Sequence, residues 1–244
     1  MLEALQVEKI EHPDVSAKYA LSMAGSMSSR LVILDMDGTL ADTSTPIIDC
    51  YKATAVALGL PVPGTEVLRH ALAGSLRNNL ARVFGLRGAD LEEALLIYRR
   101  YYISRGEVAI GPFDGVIDAV RQLSSEGYLL AVATMRLEYL ADEMLQRWGV
   151  RELFGPVCGA DVDDLKPKAD MIRRCLEGTG CYASDALMIG DSPDDYNAAM
   201  QCGMPFIAAS YGYSLPAELC EDRGIPHVDS PSDIPAAVRM EFGL

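Results

Sequence analysis

The chain has 244 residues, half of them apolar, and a formal net charge of -14. That is enough chain for one large domain or two small ones, and it is too apolar to stay disordered. The acidic excess argues against nucleic acid or an anionic membrane surface as a partner, and no apolar run approaches the roughly 20 residues that span a bilayer. Cys50, Cys158, Cys175, Cys181, Cys202 and Cys220 form no Cys-x-x-Cys pair and no Cys/His cluster. That disfavours zinc and reads as reduced thiols in a cytoplasmic protein. His12, His70 and His227 are scattered and read as surface or structural groups.

Residues 1–29 have no strong period, and no basic stretch leads into an apolar core, so they do not read as a secretory signal. Gly25-Ser26-Met27 fits an appended leader ahead of a native start at Met27 as well as it fits a natural, loosely docked extension. Leu31–Leu34 is a continuous apolar run that predicts a strand buried on both faces, as in the middle of a parallel sheet. It runs into Asp35-Met36-Asp37-Gly38-Thr39. Gly38 lets the chain leave the sheet sharply, so both acids sit at the carboxyl end of a central strand, where open α/β sheets bind ligands. Two carboxylates there repel one another, and a hard divalent cation such as Mg²⁺ offsets the cost.

The stretch from about 44 to 110 is largely helical. Residues 46–58 and 91–104 carry helical spacing, with Leu91, Leu95, Tyr98 and Tyr102 on one stripe; Pro61 and Pro63 break the first segment, and Gly111-Pro112 ends the second. This is too much helix for one crossover, so residues 45–110 read as an inserted helical domain, with 30–44 and 111–244 forming the core. After Pro112, helical stripes alternate with short apolar strands at 129–134, 157–160, 186–190 and 206–209. With the first strand this predicts a doubly wound parallel α/β sheet of five strands.

The predicted strand ends hold a consistent set of polar groups. The first ends in Asp35 and Asp37, and the second in Thr134. A loop offers Lys166-Pro167, and the fourth strand runs into Gly190-Asp191-Ser192-Pro193-Asp194-Asp195. A carboxylate, a metal, a hydroxyl, an ammonium and a second acid are what phosphoryl transfer needs. Ser192-Pro193 is also a good helix start, which puts Asp195 three positions after the cap and makes Asp194 a capping or solvated residue. Lys168 reads as a solvated lysine.

The ordered set Asp35-x-Asp37-Gly38-Thr39, Thr134, Lys166-Pro167 and Gly190-Asp191-Ser192-x-x-Asp195 resembles the haloacid dehalogenase superfamily, over about residues 30–240. The likeness is to its phosphatase branch with a helical cap inserted after the first strand. Lys166-Pro167-Lys168-Ala169-Asp170 and Tyr211-Gly212-Tyr213 are most similar to phosphoglycolate phosphatase-like members. The resemblance implies a Mg²⁺-dependent hydrolase of a small phosphorylated metabolite that works through an aspartyl-phosphate. Asp35 would be the nucleophile and Asp37 the general acid/base. Asp35, the Asp37 carbonyl and Asp191 would hold the metal, with Asp195 supporting it, and Thr134 and Lys166 would bind the phosphoryl group. Met135-Arg136 stands where those phosphatases usually show Asn-Lys, which makes Arg136 a candidate for reading the leaving group. Arg77, in the Ala73–Asn79 segment between the two helical halves of the insert, is a candidate to pair with a substrate carboxylate or second phosphate. Asp37 disfavours dehalogenation. A phosphosugar mutase on the same core and a non-catalytic binder of a phosphorylated ligand are the alternatives.

Overall fold

A computed structural model of the chain describes residues 30–102, 104, 110–160 and 166–243; the expectation for residues 1–29 lies outside them. The core is one parallel sheet in the order β3-β2-β1-β4-β5-β6. Its strands are β1 (Leu31–Leu34), β2 (Leu129–Leu137), β3 (Phe154–Ala160), β4 (Ala186–Gly190), β5 (Phe206–Ala209) and β6 (His227–Val228). β1 is central, with β2 on one side and β4 on the other, so the order reverses there and the loops after β1 and β4 part to leave a crevice.

Every residue of β1 is fully buried because alternate side chains serve two cores. Val32 and Leu34 face α5 (Val116–Ser125), α6 (Glu138–Arg147) and α10 (Ile234–Glu241). Leu31 and Ile33 face α7 (Lys168–Thr179), α8 (Pro193–Cys202) and α9 (Ala217–Arg223). The fold is therefore α/β, doubly wound on a parallel sheet. β6 escapes sequence periodicity because two residues are too short to carry a pattern.

Between β1 and α5 lie α1 (Ser44–Ala57), α2 (Thr65–Arg69), α3 (Leu76–Phe84) and α4 (Gly88–Tyr101). α1 and α3 pack on α4, with the Tyr51 and Tyr98 rings edge to face at 5.0 Å between centroids. The chain leaves and re-enters the core side by side. Phe113 N donates to Leu40 O at 3.0 Å and Asp42 N to Gly111 O at 3.3 Å, so the helical segment hangs from a narrow neck at the carboxyl edge of the sheet.

β2 runs three residues beyond the predicted end at Thr134. Ala133 pairs with Cys158 and Leu137 with Ala160, so β2 carries two extra residues against β3. This bulge takes Thr134, Met135 and Arg136 out of the ladder, and bulges of this kind re-aim side chains beside active sites. Gly159 makes room for it: a Cβ there would lie 2.5 Å from Glu138 Cα and 2.6 Å from the Arg136 carbonyl oxygen.

Candidate active site

The first residues beyond β1 and β4 meet at the base of the crevice between their loops. Asp35 continues β1, its N–H donating to Ile189 O on β4 at 2.9 Å. Gly38 turns the chain with φ 84° and is pressed against the Asp191 carboxylate, so no larger residue fits. From the far side the loop after β5 closes the site. Tyr213 N donates to Asp191 Oδ2 at 2.7 Å, Tyr211 OH donates to Thr39 O at 2.8 Å, and Thr43 N donates to Tyr213 OH at 2.6 Å. Sequence reasoning used Tyr211-Gly212-Tyr213 only as a likeness, yet this loop fixes both acid-bearing segments.

Asp35, Asp191 and Asp195 each present one carboxylate oxygen within 4.8 Å of the others. All three are buried, and Asp191 Oδ1 has no hydrogen-bond partner among the described residues. Burial pushes the Asp35 carboxyl up to about 7, with Asp195 and Asp37 acting in the same direction and the Lys168 ammonium opposing them. Burial, together with Asp195 and Asp35, raises the Asp191 carboxyl well above the usual range. Three buried acids with one orphaned oxygen are a donor set that fits a hard cation.

The ammonium in this cluster is Lys168, not Lys166. Lys168 Nζ lies 2.6 Å from Asp35 Oδ1 and 2.7 Å from Asp195 Oδ1, with its side chain only 6% exposed. Burial alone would lower its proton affinity; the two carboxylates reverse that and raise it. Lys166 is exposed and lies outside the cavity lining, beside a neighbouring depression. The reason is local. Pro167 is extended (φ -71°, ψ 156°), α7 starts at the next residue, and Lys168 falls on the helix face that carries Met171, Ile172 and Cys175 inward. A cation at a helix N-terminus opposes the helix dipole, and the two acids offset this.

Asp195 uses its other oxygen within a capping box. Its Oδ2 accepts from Ser192 Oγ at 2.7 Å and from Ser192 N at 3.2 Å, while Ser192 Oγ accepts from Asp195 N at 3.2 Å. The predicted helix start at Ser192-Pro193 thus holds, and it aims Asp195 at Lys168. Thr134 is buried in the cavity wall, its Oγ1 accepting from Arg136 N at 3.0 Å.

Asp37 turns away from the acidic cluster. Both of its oxygens meet the Arg136 guanidinium, Nε donating to Oδ2 at 3.2 Å and Nη2 to Oδ1. Arg136 also donates to Tyr102 OH, and its guanidinium carbon lies 4.9 Å from the Tyr102 ring centroid. Burial would weaken the Arg136 charge, but Asp37 and then Tyr102 hold it firmly protonated. In the sequence Tyr102 stands out only as a member of the apolar stripe with Leu91, Leu95 and Tyr98.

Asp35, Asp37, Thr134, Arg136, Lys168 and Asp195 line a cavity of about 950 Å³, open mouth included, between the sheet edge and the helical segment. Its far wall carries Ile47, Tyr51, Leu72, Leu76, Tyr98 and Tyr102. Ala73 and Gly74 also line the cavity, and their turn is held by buried Asn79, whose Nδ2 donates to Ala73 O at 2.7 Å and to Ala71 O at 3.2 Å. Arg77 does not join it. Its guanidinium grips Glu92 at 2.5 and 3.1 Å and lies outside the cavity lining, so the structure does not place it where it would pair with a substrate carboxylate or second phosphate.

Comparison with known proteins gives the same outline. The chain is 32% identical to a phosphoglycolate phosphatase of Agrobacterium fabrum over 192 residues, covering 76% of this chain and 82% of that protein. It is 31% identical to the tyrosine-protein kinase PtkA of Mycobacterium tuberculosis over 187 residues, covering 76% of this chain but only 64% of that relative's length. The solved structure of a haloacid dehalogenase-like family hydrolase from Streptococcus pneumoniae superposes with a TM-score of 0.78 at 27% identity, covering 86% of this chain and 99% of that one. Residues 32–209, which span every acid of the site, match the family model of haloacid dehalogenase-like hydrolases, and the chain belongs to that family.

Proposed function

We propose that the protein is a Mg²⁺-dependent phosphatase that hydrolyses a small phosphomonoester through an aspartyl-phosphate. The observation that carries this reading is the buried set in which Asp35, Asp191 and Asp195 converge within 4.8 Å while Lys168 spans two of them. Asp35 Oδ attacks phosphorus and the bond to the leaving oxygen breaks. Asp37 swings from Arg136, donates a proton to that oxygen, and then takes a proton from the water that attacks the acyl phosphate. Phosphate leaves and the Asp35 carboxylate is restored. Lys168 and the Thr134 hydroxyl orient the phosphoryl oxygens, Asp195 aligns Lys168, and the helices of 45–110 act as a cap that encloses the leaving group. Mg²⁺, when held by Asp35, the Asp37 carbonyl and Asp191, supplies charge neutralisation at the phosphoryl oxygens. The phosphoglycolate phosphatase relative makes phosphoglycolate the first substrate to try. Six free cysteines fit the reducing cytoplasm.

The test is Mg²⁺-dependent release of phosphate from a panel of phosphorylated metabolites, with Asp35→Asn as control. We expect EDTA to silence the protein, Mg²⁺ to restore it, and Asp35→Asn to lose at least about 10³-fold in kcat while remaining folded. Near-normal turnover in Asp35→Asn refutes the mechanism. Bisphosphate-dependent isomerisation without net hydrolysis would point to the mutase.

A further inference from the structure

We propose that Arg136 is the residue that selects the leaving group, its guanidinium being the receptor for a carboxylate carried on the alcohol half of the ester. The inference rests on the phosphatase reading and goes past it to the class of leaving group the site accepts.

Arg136 brings a full positive charge into the floor of the cavity on a side chain that is 5% exposed. A buried guanidinium is tolerated only when an anion and good donor–acceptor geometry compensate its lost hydration. Here the anion is Asp37, engaged through both of its oxygens, while Tyr102 supplies an oxygen acceptor and a ring face on the cap side. The acid that compensates Arg136 is thus the one that must leave it. In the proposed reaction the Asp37 carboxyl has to reach the leaving oxygen, and it cannot do so while both of its oxygens lie on the guanidinium.

Once Asp37 turns, Arg136 is left buried with a forked pair of N–H donors facing the leaving-group half of the cavity. A carboxylate on the substrate presents the same planar pair of oxygens and restores the compensation; a carboxamide or hydroxyl does not. Among the described residues, Lys168 and Arg77 are committed elsewhere. Lys168 spans Asp35 and Asp195, and Arg77 grips Glu92 outside the cavity. Arg99 lines the cap wall of the same cavity and is half-buried. Arg136 contacts a side chain only two residues from Asp35, so the carboxylate it receives lies within a few bonds of the ester oxygen. The apolar surface around it, from Leu140, Leu137 and the Tyr102 ring, suits a short acid better than a polyol.

A matched pair of esters tests this: phosphoglycolate and its carboxamide isostere, 2-phosphooxyacetamide, each with wild type, Arg136→Met, Arg136→Lys and Arg99→Met. We expect wild type to favour the carboxylate at least tenfold in kcat/KM, a difference of about 1.4 kcal/mol. Arg136→Met should cut that preference to less than about threefold, chiefly through KM. Arg136→Lys keeps the charge without the fork and should retain part of the preference, which separates recognition from a folding defect. Equal rates on both esters in wild type, an undiminished preference in Arg136→Met, equal losses on both esters, or loss of the preference in Arg99→Met instead would each overturn the assignment. If neither ester releases phosphate, the phosphatase reading stands or falls on the wider metabolite panel, and equilibrium binding of the two esters then decides the assignment. Tighter binding of the carboxylate that is lost in Arg136→Met supports the assignment, and equal binding overturns it.

Discussion

Replacing Lys168 with Met should damage the protein in two measurable ways, whereas Lys166→Met should do neither. Lys168 Nζ sits 2.6 and 2.7 Å from two carboxylates that are themselves almost fully buried. At an effective dielectric constant of about 20, a pair of unit charges at such distances attracts by about 6 kcal/mol before desolvation is counted. Desolvation of the three charges returns much of this, so the net worth of the group is far smaller. Truncating one partner of a buried pair nevertheless leaves the other charge stranded, at a cost of about 3–5 kcal/mol. Chemical denaturation in EDTA should show a loss of that order for Lys168→Met. Lys166→Met, an exposed substitution, should stay within about 0.5 kcal/mol. With Mg²⁺ present, removing a positioned cation from the phosphoryl oxygens should lower kcat by about 10²–10³-fold in Lys168→Met, and Lys166→Met should stay within a few-fold.

The destabilisation should also depend on pH, with a definite sign. Even with Lys168 present, burial pushes Asp35 up to about 7; without the ammonium it must rise further. A carboxyl whose folded pKa is raised keeps its proton where the unfolded chain, at about 3.9, has lost it, so stability falls as pH climbs between those two values. The gap between wild type and Lys168→Met should therefore be wider at pH 8 than at pH 5. An equal gap at both pH values, or a Lys166→Met enzyme that is dead beside a working Lys168→Met enzyme, would refute this account of the site.

Three further outcomes are expected. Asp37→Asn should slow an alkyl phosphate much more than nitrophenyl phosphate, because a good leaving group needs little protonation; equal losses would remove Asp37 as the acid. Millimolar MgCl₂ should raise the Tm of the metal-free protein, as any ligand selective for the native state does, and Asp191→Asn should abolish most of that rise in a thermal scan. Gly159→Ala introduces a Cβ 2.6 Å from the Arg136 carbonyl and 2.5 Å from Glu138 Cα, both backbone atoms. It should cost about 1–3 kcal/mol in denaturant unfolding and lower turnover although it touches no reacting group; a neutral result would show that the β2 bulge yields freely.

The sheet was legible because its strands are uninterrupted apolar runs. Leu31–Leu34 and Ala186–Gly190 are buried on both faces, so no alternation hides them. Asp35, Asp191 and Asp195 come together because two strand ends and a helix cap set their direction within a residue or two, whereas Asp37 turns instead to Arg136. The lysine was not legible in this way, because a motif locates a loop and not the direction of a side chain. The stripe of Met171, Ile172 and Cys175, continued one turn back, lands on Lys168 and passes Lys166 by; that periodicity was the available signal. Arg77 was unreadable for another reason. Its direction depends on Glu92, fifteen residues away on a different helix, and no local pattern carries that pairing. The bulge in β2 was hidden as well, because two extra residues show only against the register of β3.

Charge balance ties these elements into one device. Asp35, Asp37, Asp191 and Asp195 bring four carboxylates to the crevice, and Lys168 and Arg136 return two positive charges. With all four acids ionised, two negative charges remain uncompensated, which is why burial and mutual repulsion push Asp35 and Asp191 upward. A chain of net charge -14 offers no long-range attraction to a phosphate dianion, so local neutrality has to be built at the site. One divalent cation held by these acids would supply it and would match the oxygen donors already gathered. In the proposed reaction the positive groups would divide the chemistry among them, with Lys168 beside Asp35, the cation on the acids, and Arg136 on the side from which the alcohol would depart. That division follows from where two strands part and a third bulges, and the parallel sheet provides both at the same edge.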